Sequence, residues 1–138
     1  MSQNLKLLEQ SPNVEEYQTL RNAVGWPTVS DQAVERSLKN SLFSVCAYIG
    51  KKLVGYGRVI GDGGIYYYIQ DVIVLPKFQG RGIGRKIMTS IMNYLEEADP
   101  SAFFGLMAAK NFSSFYEIYG FKERPPDAPG MFRYCQPK

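Results

Sequence analysis

The sequence contains no histidine, and its two cysteines, Cys46 and Cys135, stand far apart. Without histidine, catalysis by a Ser-His-Asp triad or a Cys-His pair is excluded, and a zinc site would need unusual ligands. Two isolated cysteines that lack a CxxC spacing are typical of free thiols in a reducing compartment. We therefore expect no metal site.

Long apolar runs and a strong excess of one charge are also missing. No apolar run approaches the roughly 18 residues that a membrane helix needs, and residues 1–13 lack the apolar core of a signal peptide. The formal net charge of +3 suits an anionic ligand but is weak for nucleic acid. With 45% hydrophobic and 21% charged residues, the chain is typical of a folded protein. We expect one domain, residues 1–138, in a soluble cytoplasmic protein that contacts neither membrane nor nucleic acid.

The first half of the chain shows signals for two helices and several strands. A short apolar segment at 5–8 precedes Asn13, which has capping-box spacing to Glu16 at the start of a helix. A second helix is predicted from Ser30 to Lys39. The next segments are rich in β-branched and aromatic residues, and glycine-containing turns separate them. They predict three consecutive antiparallel strands, the last of them central, at 42–49, 53–60 and 65–75.

The second half returns to a helical period and then alternates again. Ile83, Ile87 and Ile91 share one face of a helix predicted from Gly82 to Glu97. A strand at 102–109 follows, then a short helix for which Ser114 and Glu117 have capping-box spacing, and a last strand at 131–134. The order of elements predicts an α/β fold with a mixed, mostly antiparallel sheet and helices on both faces.

The run LPKFQGRGIGRK, residues 75–86, contains three glycines, four basic side chains and no acid. It lies where a strand gives way to a helix, and the unpaired N–H groups at a helix N-terminus attract phosphate. Glycine lets such N–H groups converge and lets a ligand approach without meeting a Cβ. GxGxxG would need glycine at position 85, and GxxxxGK would need Gly-Lys at 85–86, so both of these motifs fail. The alternative to a phosphate site is a tight turn with no ligand.

Two motifs resemble those of the GCN5-related N-acetyltransferase (GNAT) superfamily. In length the chain is similar to a small single-domain member of that superfamily. Gln79-Gly80-Arg81-Gly82-Ile83-Gly84 resembles the Q/R-x-x-G-x-G/A signature, and SFYEIYGF (114–121) resembles the C-terminal F-Y-E-x-x-G-F element. The resemblance implies acetyl-CoA as cosubstrate and a splayed central strand. In such a site the coenzyme is bound by the end of the strand before the glycine run and by the run itself: Val72, Ile73, Val74, Gln79, Gly80, Arg81, Gly82, Ile83, Gly84 and Arg85.

The resemblance further implies direct transfer of an acetyl group to a primary amine of a small molecule, without an acyl-enzyme. Tyr116 would protonate the departing thiolate, and the backbone N–H of Val74 or Ile73 would polarise the thioester carbonyl. Asp71 interrupts an apolar strand, where burial would raise its pKa toward that of a general base. A structural Asp71 at a bulge, with solvent as the base, remains the alternative. Ala109 stands where many relatives have a CoA-binding asparagine, so that role is not carried over.

The acceptor and the assembly are less defined by the sequence. Trp26, the tyrosines at 66–68, Met131 and Phe132 are predicted to line the acceptor site, which would favour an arylalkylamine. These aromatic residues are alternatively core, and an amino sugar or a polyamine remains open as acceptor. Members of the family often form homodimers, which makes a homodimer one expectation. A non-catalytic acyl-CoA-binding or sensing domain on the same fold is the alternative function.

Overall fold

A computed structural model describes residues 4–135 of the chain. They form two compact units that divide between Met107 and Ala108. The first unit contains a five-stranded sheet and three helices, and the second contains one short helix.

The strands of the first unit form a mixed sheet in the order of the chain. Neighbouring strands are antiparallel from the first to the fourth, and the fourth and fifth are parallel. The three predicted antiparallel strands are therefore confirmed, although the middle strand is the third and not the fourth. The bounds are β1 Leu5–Leu8, β2 Phe43–Ile49, β3 Lys52–Gly61, β4 Tyr66–Val74 and β5 Phe103–Leu106.

The predicted starts of the first two helices are confirmed by their capping contacts. In α1 (Val14–Ala23), the Asn13 side chain accepts from Glu16 N at 2.7 Å, and Asn13 N donates to Glu16 Oε1 at 3.0 Å. In α2 (Asp31–Lys39), Ser30 Oγ accepts from Ala33 N. These bonds satisfy helix N–H groups that would otherwise lack partners.

Side-chain alternation along β3 assigns the helices to opposite faces of the sheet. Gly55 and Gly57 face α3 (Ile83–Leu95), so the isoleucines of that helix approach the backbone of β3 closely. Tyr56 and Arg58 point the other way: Tyr56 packs edge-on against Tyr17 of α1, and Arg58 donates to Ser37 O in α2. The expectation of helices on both faces is thus confirmed.

The pairing of β3 with β4 contains one irregularity, a β-bulge. Tyr56 pairs with Ile73 and Arg58 pairs with Gln70, so Gly57 stands opposite two residues, Asp71 and Val72. Asp71 has φ 60°, in the left-handed region that Asp tolerates better than most residues. A bulge re-aims the side chains around it. The carboxylate of Asp71 lies on the α1 side, where its Oδ2 is 2.9 Å from Arg58 Nε.

Both cysteines are free, as the sequence predicts. Cys46 is buried in β2 and donates to Gln10 O at 3.1 Å, while Cys135 is exposed. Burial raises the pKa of the Cys46 thiol to about 12, so this thiol stays protonated at neutral pH.

Three sequence predictions about the C-terminal part are wrong in detail. The strand predicted at 102–109 ends at Leu106, because β4 supplies partners only as far as Ile69. Residues 131–134 form no strand, since alternation alone makes none without a neighbour to receive its hydrogen bonds. The short helix α4 spans Ser113–Glu117, so Ser114 lies inside it and does not form the predicted capping box.

The contact between Gly57 and α3 predicts a stability effect. A Cβ at Gly57 would lie 2.6 Å from Ile87 Cγ2 and 3.0 Å from Ile91 Cδ1. We expect Gly57→Ala to lower the free energy of unfolding by about 1–3 kcal/mol through overpacking. Gly64→Ala is the control, because its nearest neighbour, Asp62 Oδ1, is 3.7 Å away. Urea unfolding that finds the two variants equally stable would contradict this packing.

The ion pair at the bulge predicts strong coupling between its members. Arg58→Met leaves the Asp71 carboxylate buried without its cation, and we expect a loss of about 3–5 kcal/mol in the free energy of unfolding. Adding Asp71→Asn removes the charge while keeping a residue that tolerates the left-handed conformation. The double variant should therefore be more stable than the sum of the single effects predicts. Additivity within about 0.5 kcal/mol in a double-mutant cycle would show that the pair is not coupled.

Candidate functional site

The end of β4 has an open edge. β5 pairs with β4 only from Tyr66 to Ile69, so residues 70–74 have no neighbour from β5. On the other side of β4, Leu75 N donates to Val54 O of β3 at 2.9 Å. Since hydrogen-bonded pairs alternate in an antiparallel ladder, Ile73 bonds toward β3, and Val74 directs its N–H and C=O toward the open edge. The sequence left open whether Val74 or Ile73 supplies the backbone N–H for the thioester carbonyl. The geometry favours Val74, because its N–H is the free donor.

The glycine run follows this open edge directly. Pro76–Phe78 forms a single 3-10 turn, and the Gln79 side chain donates to Val74 O at 2.9 Å, which ties the run to the end of β4. Gly80 and Gly82 have φ values of 80° and 82°, while a Cβ at either position would have nothing within 4 Å. Backbone conformation, and not packing within the protein, therefore requires glycine here.

Helix α3 presents unpaired donors at its start. Its first helical bond runs from Lys86 N to Gly82 O, so the N–H groups of residues 82–85 have no partner within the helix. They carry the positive end of the helix dipole. Residue Gly82 itself is the N-cap and offers no side chain that could satisfy them. This is the arrangement that binds anions at helix N-termini.

Basic side chains surround these donors. The Arg81 guanidinium lies 5.0 Å from the centre of the Phe78 ring, and Lys52 Nζ of β3 lies 5.8 Å from the same ring. Lys77, Arg85 and Lys86 are exposed nearby in sequence. Over residues 4–135, none of these cations forms a salt bridge with an acid. The predicted cofactor-binding residues of the glycine run thus combine free N–H groups with uncompensated positive charge.

Asp71 lies at the centre of a buried hydrogen-bond network. Its Oδ2 accepts from Arg58 Nε at 2.9 Å and from Tyr17 OH at 2.8 Å, and its Oδ1 accepts from Gln70 Nε2 at 3.0 Å. The Asp71 side chain is only 1% exposed. Burial, followed by the negative charge of Asp71, raises the pKa of Tyr17, so this phenol keeps its proton and acts as a donor. The network thus satisfies both oxygens of the buried Asp71 side chain within the protein.

Tyr116, the predicted proton donor, belongs to the second unit. It lies on α4, and its ring packs edge-on against Phe115 with the ring centres 5.0 Å apart. Burial raises the pKa of Tyr116 above its ordinary value, so the phenol is protonated at neutral pH. Asp71, Val72–Val74 and 79–85 are all in the first unit, where the end of β4 brings them together.

The residues predicted to line an acceptor site separate into two groups. Tyr67 is buried, with its ring 6.5 Å from that of Tyr94 in α3 and 5.7 Å from that of Phe104, so it belongs to the core. Tyr66 and Tyr68 lie on the opposite face of β4 by alternation. Trp26 is half-buried at the C-terminal end of α1. In the second unit, Met131 and Phe132 are exposed.

Four polar residues of this region were missed from the sequence: Tyr17, Arg21, Arg58 and Gln70. Arg58 carried a usable signal, because a charged residue inside the apolar strand LVGYGRVI needs a buried partner, as Asp71 does in its own strand. Tyr17 and Arg21 gave no such signal, since both positions suit an amphipathic helix. The role of Tyr17 depends on a contact across 54 residues of sequence, with Asp71.

Among residues 4–135 there is no cluster of three or more Cys, Asp or Glu side chains that could hold a metal ion. Within the same part of the chain, no helix is both long and apolar enough to cross a membrane.

Comparison with known proteins connects this geometry to a family. The family model described as acetyltransferase (GNAT) domain matches residues 13–131. The uncharacterized N-acetyltransferase ycf52 of Pyropia yezoensis is 34% identical over 126 residues, which cover 88% of this chain and 72% of that protein.

Solved structures agree with the sequence relatives. A probable acetyltransferase of meticillin-resistant Staphylococcus aureus, SA2161, superposes with a TM-score of 0.89 and 36% identity, covering 95% of this chain and 99% of the other. A GNAT family acetyltransferase from Brucella melitensis, in complex with acetyl-CoA, shares the fold with a TM-score of 0.63 at 20% identity, covering 88% and 84% of the two chains. The chain belongs to the GNAT acetyltransferase family, as its two motifs indicated.

Proposed function

We propose that this acetyltransferase moves an acetyl group directly from acetyl-CoA to the primary amine of a small molecule. The observation that carries the proposal is the junction of two sets of free donors: the open edge of β4 at Val74 and the N–H groups of 82–85. The fold is shared with a GNAT acetyltransferase that binds acetyl-CoA, which supports acetyl-CoA as the cosubstrate here.

The glycine run is proposed to hold the diphosphate of the coenzyme. The N–H groups of 82–85 would donate to its oxygens, and Arg81, Arg85 and Lys86 would add charge from the side. The pantetheine arm would run along the open edge at 72–74 as an additional strand, and Gln79 would keep Val74 O occupied. We therefore assign coenzyme binding to the ten residues that the sequence predicts.

Val74 and Tyr116 are the proposed catalytic groups. The coenzyme supplies a thioester whose carbonyl carbon accepts the amine. Val74 N–H would donate to the carbonyl oxygen as negative charge develops there, which lowers the barrier to attack. As the carbon–sulfur bond breaks, Tyr116 would give its proton to the sulfur. The phenol then recovers a proton from solvent.

The contacts of Asp71 favour the structural alternative over the role of general base. Its oxygens already accept three hydrogen bonds, and Arg58 stabilises the negative charge. Both oxygens are therefore engaged within the protein, and the side chain is buried away from an incoming amine. We propose that water accepts the amine proton and that Asp71 maintains the bulge.

Several attributes of the whole protein rest on the same proposal. The family model spans both compact units, which supports a single domain over the full chain. The homodimer, the cytoplasmic location and the lack of nucleic-acid binding stay predictions. A non-catalytic acyl-CoA sensor remains the second function, because the glycine run would serve both.

Gly84 allows a test of coenzyme binding without strain at a positive φ. Unlike Gly80 and Gly82, it lies in the first turn of α3 and has no left-handed conformation. An acidic residue in the first turn suits the helix dipole, so Gly84→Asp should fold normally while it repels phosphate. We expect its dissociation constant for acetyl-CoA to rise about tenfold or more, equivalent to about 1.4 kcal/mol. Calorimetric titration measures the constant.

Gly84→Asn is the matched control for this experiment, because it has nearly the shape of Asp without the charge. It should bind acetyl-CoA more tightly than Gly84→Asp. If the two variants and the natural protein bind equally well, the diphosphate does not lie at the start of α3.

Tyr116→Phe tests the chemical step. We expect kcat to fall by about 100-fold or more, because the leaving thiolate loses its proton donor, while the acetyl-CoA dissociation constant stays unchanged. Since burial raises the pKa of Tyr116, its ionisation should not reduce kcat until the pH exceeds about 10. Free-thiol release over an amine panel measures turnover.

Tyr119→Phe is the control, because Tyr119 lies three residues further along and packs on the same Phe115 ring. It should keep nearly full turnover. Equal kcat for both variants would remove Tyr116 from the mechanism. Tight acetyl-CoA binding with no turnover of any amine by the natural protein would favour the sensor.

A further inference from the structure

The C-terminal end of α1 holds Arg21 and Trp26 in a fixed relation. Gly25 has φ 76°, Gly25 N donates to Asn22 O at 3.1 Å, and Trp26 N donates to Arg21 O at 3.0 Å. This pair of bonds is a Schellman motif, which brings the residue after the glycine against the side chain of the helix's last turn. The Trp26 ring therefore lies beside the guanidinium of Arg21, 5.4 Å from ring centre to Cζ.

The Arg21 guanidinium contacts two aromatic rings. Its Cζ is 5.8 Å from the centre of the Tyr17 ring, in addition to the Trp26 contact. Nη2 donates to Pro27 O at 2.7 Å, and Nη1 makes a long contact of 3.4 Å with Tyr17 OH. Nε is buried and has no hydrogen-bond partner. Of its five N–H donors, the protein fills one well and one weakly, and the buried Nε–H is closed to a ligand, which leaves one N–H on each of Nη1 and Nη2.

No acid compensates the charge of Arg21. Over residues 4–135 the one salt bridge joins Arg58 to Asp71. The positions three and four residues from Arg21 hold Tyr17, Gln18, Val24 and Gly25, none of which is acidic. A half-buried guanidinium with unfilled donors and no carboxylate suits a planar oxyanion, which it can bind through two parallel hydrogen bonds.

Arg21 also lies close to the network at the β4 bulge. Tyr17 OH donates to Asp71 at 2.8 Å and is itself 3.4 Å from Arg21 Nη1, so one phenol separates the guanidinium from the bulge residue. The negative charge of Asp71 is already matched by Arg58. Arg21 is therefore a second cation near the bulge, and it forms no salt bridge with an acid of residues 4–135.

We propose that Arg21, held between Tyr17 and Trp26, binds an oxyanion of the acceptor, so that the acceptor is an amine that also carries a carboxylate or a phosphate. The inference rests on the proposed N-acetyltransferase function and narrows its acceptor class. A polyamine brings only positive charge toward Arg21 and finds no accessible acid among these residues, so it fits poorly.

A binding experiment tests the inference independently of turnover. Trp26 is the only tryptophan in the chain, so intrinsic tryptophan fluorescence reports this site alone. 3-Phenylpropanoate supplies a carboxylate, phenyl phosphate supplies a phosphate, and 3-phenylpropan-1-ol is the neutral control. We expect a saturable fluorescence change with one or both anions. The alcohol should bind at least about tenfold more weakly. The dissociation constants of the two anions then show whether the site prefers carboxylate or phosphate. No saturable change with either anion would overturn the proposal.

Two variants separate oxyanion binding from a purely structural role. Arg21→Gln removes the charge, and Arg21→Lys keeps it as a point charge that also attracts anions but loses the two-bond geometry. We expect Arg21→Gln to abolish the anion response and Arg21→Lys to retain part of it. Thermal unfolding of each variant checks that it is as stable as the natural protein. If both variants respond to the anions as the natural protein does, Arg21 does not bind them.

Turnover provides the second measurement. Phenylalanine and 2-phenylethylamine differ by a carboxylate, and O-phosphoethanolamine and ethanolamine differ by a phosphate. We expect kcat/KM to favour the anionic member of at least one pair by about tenfold and Arg21→Gln to remove that preference. Preference for both neutral members would refute the inference while leaving N-acetylation intact. Fluorescence binding of anions without turnover of any amine would instead refute the proposed function and keep the anion site.

Discussion

The buried ion pair between Arg58 and Asp71 is the interaction on which the rest of this site depends. It fixes an extra residue in β4 opposite Gly57, in a left-handed conformation that an isolated chain would rarely adopt. A bulge re-aims the side chains around it, and beyond Ile69 β4 has no partner from β5. The open edge that results is the one place in the sheet of the first unit where an interior strand keeps free backbone donors next to a helix N-terminus.

Glycine serves two physical purposes in the first unit. One pair of glycines lies before β4 in the chain, and the other pair lies after it. On β3, Gly55 and Gly57 allow the isoleucines of α3 to approach the backbone, which holds that helix against the sheet. In the run after β4, Gly80 and Gly82 have positive φ and no packing contact, so they shape the backbone itself. The first pair positions α3, and the second leaves its N-terminal donors free. Acetyl-CoA binding, as proposed, needs both.

Much of this could be read from the sequence because the signals are local. Asn13 with Glu16 and Ser30 with Ala33 are bonds within one helical turn, and the glycine run has a motif with its own mechanism. The network around Asp71 could not be derived in the same way, since its donors come from α1, β3 and β4 and meet only in the folded sheet. The terminal strand at 131–134 failed for the same reason: alternation describes a side-chain pattern but does not supply a partner strand.

The central claim is that Val74 N–H is free at the edge of β4 that β5 leaves open, and that the coenzyme adds there as a strand. The most direct measurement is a crystal structure of the protein with acetyl-CoA bound. This account predicts that Val74 N–H donates to the thioester oxygen and that the N–H groups of 82–85 donate to the diphosphate. A coenzyme bound at another edge of the sheet, or a Val74 N–H bonded within the protein, would contradict it.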